Sequence, residues 1–389
     1  MKLNKLTLAL LSAVSFAGAS HAEIDINGFG NVVGGITSSD DQVLGFNDTI
    51  DFSNDSLFAL QVSSDISDKL SATAQIISRG EDDFDASFEW AYITYNISPS
   101  VTFNAGRFRL PLFAYSSSLD VGYTYHWITA PSVVYDVPFN NLDGVKLGKT
   151  GYVSGWDYSL DIAFGTFKGE TLGADNNGDN TSLVSGQISN DSLTLRAVYG
   201  RATTTLDLTK SSDDVGLALG LGFESIEAAG FAGLADSLRV EDDTGEFVGV
   251  SAMYDNYDFF VGGEYTEVSV DNNFSNDDEA FYITAGARFG KWTPSLTYEK
   301  FESSGDIKFM DDIAQLSNSG LPAETIASLS GVAIGSQLAQ ESDYDIITAA
   351  LRYDLDAGIA VKFDVQRLSD NVDDTQDGTL ARMALNFVF

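Results

Sequence analysis

The chain of 389 residues has no cysteine. That excludes both a disulfide framework and a thiolate metal site. Histidine is almost as scarce: His21 lies in what reads as an export leader and His126 stands alone beyond it. A histidine-based triad and a multi-histidine metal centre are thereby set aside, and no cofactor is implied. Basic residues number 21 against 57 acidic ones, a balance opposed to nucleic acid or anionic lipid as the main partner. Beyond the leader no run of about 18 apolar residues occurs, so no transmembrane helix is expected. Proline is rare, at six.

The first residues read as a secretory signal. Lys2 and Lys5 precede a short apolar stretch that ends at Ser20-His21-Ala22, a small-x-small cleavage site. The expected division is a signal peptide over 1–22 and one domain over 23–389. Removing the leader leaves 19 basic against 57 acidic residues, a formal charge of −38.

What the chain does have is period-two alternation, the mark of a strand. In the last stretch Met383, Leu385, Phe387 and Phe389 share one face, while Arg382, Ala384, Asn386 and Val388 share the other. Sixteen such stretches are read at 24–36, 55–65, 69–79, 85–97, 100–109, 142–150, 156–167, 181–189, 192–202, 244–254, 257–268, 279–289, 292–302, 343–354, 358–369 and 379–389. The gaps alternate between short Asn/Asp/Gly/Pro turns and longer loops near 37–54, 80–84, 110–141, 168–180, 203–243, 269–278, 303–342 and 370–378. A soluble sandwich does not sort its hairpins by length along the whole chain. Short turns at one end, long loops at the other, and apolar outward faces tipped with aromatics describe a barrel with lipid outside and water within. The expected fold is all-β: a 16-stranded antiparallel transmembrane barrel.

Three stretches carry a resemblance. They are the first strand Ile24-Asp25-Ile26-Asn27-Gly28-Phe29-Gly30, the segment Asn104-Ala105-Gly106-Arg107-Phe108 before a long third loop, and the alternating strand that ends at Phe389. With the architecture, they make the mature chain resemble the Gram-negative trimeric porins. That resemblance implies a homotrimer in the bacterial outer membrane, contact with lipid and lipopolysaccharide, and passive diffusion of small hydrophilic solutes and ions. It also implies that Phe389 is the signal read by the barrel-insertion machinery, and that the third loop, 110–141, folds into the pore as a constriction. The loop lacks the acidic Pro-Glu-Phe-Gly-Gly-type tip of general porins but is rich in aromatics.

Candidate pore residues follow from strand parity. Arg79, Lys146, Arg196, Arg288, Arg352, Lys362 and Arg382 fall on polar faces and are expected to line the pore. In the third loop, Asp120, Tyr123, Tyr125, Trp127 and Asp136 are the expected constriction residues, with the two acids opposite the basic wall. Such a field tunes selectivity; the same cations could instead simply pair with Glu264, Glu299 or Asp364. The parity of Arg107 and Arg109 places them with lipid-facing residues and leaves their side open.

Other features weigh less. Residues 175–179 place oxygen ligands at alternate positions, as a calcium loop does, but position 12 is Gly186 rather than an acid. Segments 322–338 and 224–238 have helical spacing and are expected to pack on the barrel mouth. His126, the only candidate base, sits among Tyr123, Tyr125 and Trp127, so an enzyme is not expected. The alternatives to general diffusion are a preference for an anionic or oligomeric nutrient, or a purely structural envelope barrel.

Overall fold

A computed structural model describes residues 24–38, 42–135, 137–373 and 376–389. Residues 1–23, which include the expected signal peptide and its cleavage site, and Asp136 lie outside them. Sixteen antiparallel strands close into one barrel. In chain order β1–β16 are Ile24–Thr37, Leu57–Ser67, Leu70–Arg79, Ala86–Ser98, Val101–Arg109, Asn141–Val153, Trp156–Thr171, Ala174–Ser189, Leu193–Leu206, Val240–Asp255, Phe259–Val270, Asp278–Ala287, Trp292–Ser303, Ser342–Asp356, Ile359–Asp370 and Gly378–Val388. Each pairs with its sequence neighbours, and β1 pairs with β16 to close the ring, with Asn31 opposite Asn386 and Gly35 opposite Arg382.

The barrel is apolar outside. Ile283, Leu296, Val365 and Met383 are 49–57% exposed, while Thr284, Thr297, Asp364 and Arg382 beside them are buried on the inner face. Exposed aromatics gather near the short-turn end, among them Tyr152, Tyr257, Phe289 and Phe389, as an interfacial girdle requires.

One expected loop is not a loop. Residues 168–180 belong mostly to β7 and β8, which continue to a two-residue turn at Leu172 and Gly173. Both turn residues have positive φ, 49° and 69°, which matches the right-handed twist of a hairpin. Leucine in that conformation costs on the order of 1 kcal/mol, and Leu-Gly lacks the Asn-Gly signature that announces such turns. The start of β8, Asp175 to Asp179, is polar on both faces, yet it is held by β7 on one side and β9 on the other. The supposed calcium loop is therefore extended strand, which cannot wrap an ion.

The loops after β9 and β13 are helical. A single turn α1, Ser132–Tyr135, lies in the third loop; α2 is Asp214–Ala228, α3 Ala232–Leu238, α4 Met310–Leu316 and α5 Ala323–Leu338. Asp213 caps α2 by accepting from the amides of Val215 and Gly216, satisfying two donors the helix leaves open. Phe223, Ile226, Leu234, Leu238, Leu316 and Ala333 bury one another between these helices. A Cβ on Gly222 would come within 2.7 Å of Val332, so the glycine lets α2 and α5 approach. This cap sits over the long-loop end, as expected of loops that pack on their own barrel.

Candidate functional site

The third loop, 110–140, runs inward from β5 and crosses the lumen. It has an apolar body. Phe113, Tyr125, Trp127, Val134 and Tyr135 pack with inward-facing Leu142, Leu183, Phe247 and Tyr282 of the wall. Tyr115 meets Trp127 edge-on at 5.5 Å, and Trp127 meets Tyr282 likewise at 5.5 Å. Burying this many aromatics gives the loop a core of its own, worth about 2 kcal/mol per large side chain relative to exposure. A loop with a core can hold one position.

Polar side chains of the wall then tie its backbone down. Arg196 donates to the carbonyls of Leu112, at 2.8 Å, and Pro111. Arg352 donates to those of Tyr123 and Tyr125 at 2.6 and 2.7 Å. Lys362, only 1% exposed, donates to those of Gly122 and Trp127. The Trp127 indole donates to Thr297 at 2.8 Å. Glu264 accepts from the Ala114 amide at 2.9 Å and the Tyr135 hydroxyl at 2.7 Å. In a dry interior each such bond is stronger than in water, and loss of one partner leaves a costly buried group.

At the loop's acidic corner, Asp120 accepts from Arg79 at 2.9 Å and from Arg109, and both arginines also reach Glu89, at 3.0 and 2.9 Å. Nearby, Arg382 binds Asp364 and Asp55, each at 2.7 Å, and Thr129 of the loop at 3.0 Å.

The seven basic residues expected in the pore thus have different placements. Arg79, Arg196, Arg352, Lys362 and Arg382 face inward but are engaged with the third loop or with carboxylates. Pairing, not a free ladder, describes them. Arg288 is not on a strand: it lies in the turn after β12 and binds Asp255 at 2.7 Å, at the short-turn mouth. Lys146 faces inward over the Phe108 ring at 5.5 Å and forms no ion pair among the described residues.

The constriction residues divide too. Asp120 meets the basic wall as expected. Tyr123 is half-buried, whereas Tyr125 and Trp127 are 5% and 2% exposed and belong to the loop's core rather than its water-facing edge. His126 is also buried, with Nε2 3.1 Å from the Thr284 hydroxyl and its ring 4.0 Å from that of Trp127. Burial, helped by the charges of Lys362 and Arg352, pushes its imidazole well below the usual range.

Glu89, Arg109 and, through Arg382, Asp55 also help hold the loop; strand parity did not single out Glu89 or Asp55 and left the side of Arg109 open. An extra residue in β4 sets Glu89 between Phe88 and Trp90 opposite Ile76 and Gln75, a bulge that breaks the alternation. Gly106, at φ 129°, lets β5 approach β4 so closely that a Cβ would stand 2.4 Å from the Ala91 carbonyl oxygen. On this strand Arg107 stays outside, bound to Asp143 at 2.7 and 2.8 Å. Arg109, at the strand's end, turns inward.

Two cavities remain beside the loop. One of about 290 Å³ lies toward the short-turn end, with Trp90, Tyr92, Arg109, Lys146, Asp161 and Arg196 in its lining. The other, about 470 Å³, lies toward the long-loop end beneath the helical cap. Residues 108–113 stand between them: Leu110 and Leu112 line the larger, Arg109, Pro111 and Phe113 the smaller. Among the described residues no group of three or more His, Asp and Glu side chains could hold a metal ion.

Comparisons with known proteins agree with this architecture. An anion-selective porin from Comamonas acidovorans superposes with a TM-score of 0.56 at 12% identity, covering 95% of this chain and 100% of that one. OmpF of Salmonella typhi, solved in complex with daunomycin, gives 0.54 at 13% identity over 94% and 97%. The outer-membrane channel DcaP of Acinetobacter baumannii gives 0.54 at 10% over 95% and 97%. At such identities the likeness is one of fold. No curated protein matches the sequence. Residues 7–374, however, match the family model for Gram-negative porins, and a chain that carries that match and folds into this barrel belongs to the Gram-negative porin family: it is a porin channel of the outer membrane.

Proposed function

We propose that this channel lets small hydrophilic solutes and ions diffuse passively, with the third loop setting the size limit. The observation that carries the reading is the loop itself, fastened by Arg196, Arg352, Lys362 and Glu264 across a sixteen-stranded barrel. Barrels of that size otherwise leave a wide aqueous channel. A catalytic role has no support in the surroundings of His126, which is packed between Trp127 and Phe260 with a threonine as its hydrogen-bond partner. Residues 1–22 serve as a cleaved export signal, and the mature protein works as a homotrimer among lipid and lipopolysaccharide. Support for the trimer is the family, together with a trimer-form OmpT of Vibrio cholerae of the same fold, 10% identical with a TM-score of 0.53 over 95% of this chain and 100% of that one.

A preference for anionic solutes is the second reading. The smaller cavity sets Arg109, Lys146 and Arg196 against Asp161, with Trp90 and Tyr92 as flat surfaces. Planar-bilayer recording tests both. Discrete single-channel steps are expected, with a reversal potential in a salt gradient that reports weak anion preference. A folded barrel that gives no steps overturns the channel reading; cation selectivity overturns the second.

A further inference from the structure

The cavity at the long-loop end has the wrong wall for a water-filled vestibule. A porin interior is polar, but here the partly exposed Ala202, Val268 and Phe301 line the inner face beside the buried Phe167, Leu183 and Phe247, over a floor that includes Leu112. Apolar surface kept beside water is the mark of a site that something else covers. Its volume of about 470 Å³ falls within the range of small-molecule sites.

The inward charge and the unpartnered side-chain atoms of the same cavity are acceptors, beside a set of threonine and serine hydroxyls. Asp278, the first residue of β12, forms no ion pair among the described residues; its carboxylate is bonded to Ser303. Asn276 is 5% exposed and its side-chain oxygen accepts no hydrogen bond, and that of Asn176 is likewise unpartnered. Arg201 and Glu246 border the cavity, but their side chains bond to Thr244 and Tyr199 on the outward face of β9 and β10. The charge turned inward is therefore negative, and the chain's formal charge of −36 draws cations to its mouth.

We propose that this cavity binds a small amphipathic cation, an apolar body bearing one ammonium group, with the body against Ala202, Val268 and Phe301 and the ammonium at Asp278. The proposal rests on the channel reading only in that the ligand would enter from the long-loop side and interrupt current on its way past the third loop.

Three probes of equal body test it: 4-phenylbutylamine, 4-phenylbutanol and 4-phenylbutyrate, added on the long-loop side of the full-length protein in planar bilayers. The amine is expected to interrupt current at a concentration at least tenfold below the carboxylate, with the alcohol between. Asp278→Asn should bring the amine within twofold of the alcohol. Val268→Thr, nearly unchanged in shape, should weaken all three by threefold or more. Equal potency of the three probes, or an amine preference that survives Asp278→Asn, overturns the proposal. Equilibrium dialysis of the amine against the protein in lipid nanodiscs runs in parallel, with folding of each variant checked by heat-resistant gel mobility. A silent barrel that still binds the amine with the same dependence on Asp278 sinks the channel reading and keeps the site. A conducting barrel that neither binds nor is interrupted does the reverse.

Discussion

Asp120 stands between two arginines from different strands: Arg79 at the end of β3 and Arg109 at the end of β5 both bond to its carboxylate. The loop corner that carries Asp120 is thus fixed by charge on one side of the barrel, while aromatics and carbonyl bonds fix the rest on the other.

Asp120→Asn should therefore leave Arg79 and Arg109 sharing Glu89 with one negative charge fewer beside the lumen. Removing one charge of a largely buried network costs on the order of 2 kcal/mol. The expected result is noisier single-channel current and a reversal potential shifted toward anions. An unchanged reversal potential in a folded variant would place the corner away from the ion path.

Lys146 and Arg288 should behave differently under neutralisation. Lys146 is unpaired among the described residues, whereas Arg288 is matched by Asp255 and lies at the mouth, more than a third exposed. Lys146→Met should shift selectivity toward cations at about 0.15 M salt, where screening weakens exposed charges more than enclosed ones. Arg288→Gln should leave it nearly where it was. The opposite order, measured from reversal potentials, would put the narrow point at the short-turn mouth.

Acidification should loosen the third loop. His126 is buried beside Thr284, with Lys362, Arg352, Arg288 and Asp255 as the charged groups around it, and its pKa is lowered. A histidine lowered on folding leaves stability intact above its ordinary value, about 6.5. Stability then falls as pH drops below that value toward the folded one, because the unfolded loop binds the proton more readily. Current fluctuations are expected to rise below about pH 6.5 and to lose that dependence in His126→Gln. A flat pH profile in the parent protein would count against the loop as the sensor.

Deletion of Phe389 should lower the yield of heat-resistant barrel. Its backbone exchanges two hydrogen bonds with Gly28, at 2.8 and 2.9 Å, and its ring stacks on Phe58 and Phe387 at 6.0 and 6.3 Å. Full yield of inserted protein, measured by gel mobility with and without heating, would show that the rest of the β1–β16 pairing suffices.

The sixteen strands were legible because lipid imposes a strict alternation on the part of each strand that crosses it. The same rule explains the failure at residues 174–180, where β8 stands above the apolar band and both faces are polar. The placement of Arg196, Arg352 and Lys362 on the inner face was legible from parity, but their partners were not. Apart from Asp354, which also binds Arg352, those partners are backbone carbonyls of residues 111–127, which no side-chain pattern announces. Glu89 was hidden by a bulge and Asp55 by distance along the chain; Glu264 was expected as a partner for the basic wall, but its hydrogen bonds come from the Ala114 amide and the Tyr135 hydroxyl of the loop.

The bond between Asn386 and Asn31 spans 355 residues at the β1–β16 seam. Every other strand pair joins neighbours that a turn or loop already holds close. Closing a loop that long costs about 3 kcal/mol more than closing a hairpin, since the penalty grows only with the logarithm of length. The seam is thus not prohibitive in free energy, but it sets an order of events. Hairpins can form as their strands meet, whereas β1 must wait for the other end of the chain. Until then the growing sheet carries two unsatisfied edges, the condition under which strands pair with the wrong partner. The step most exposed to misassembly is the last one, and it depends on a single row of paired residues from Phe29 with Val388 to Thr37 with Leu380.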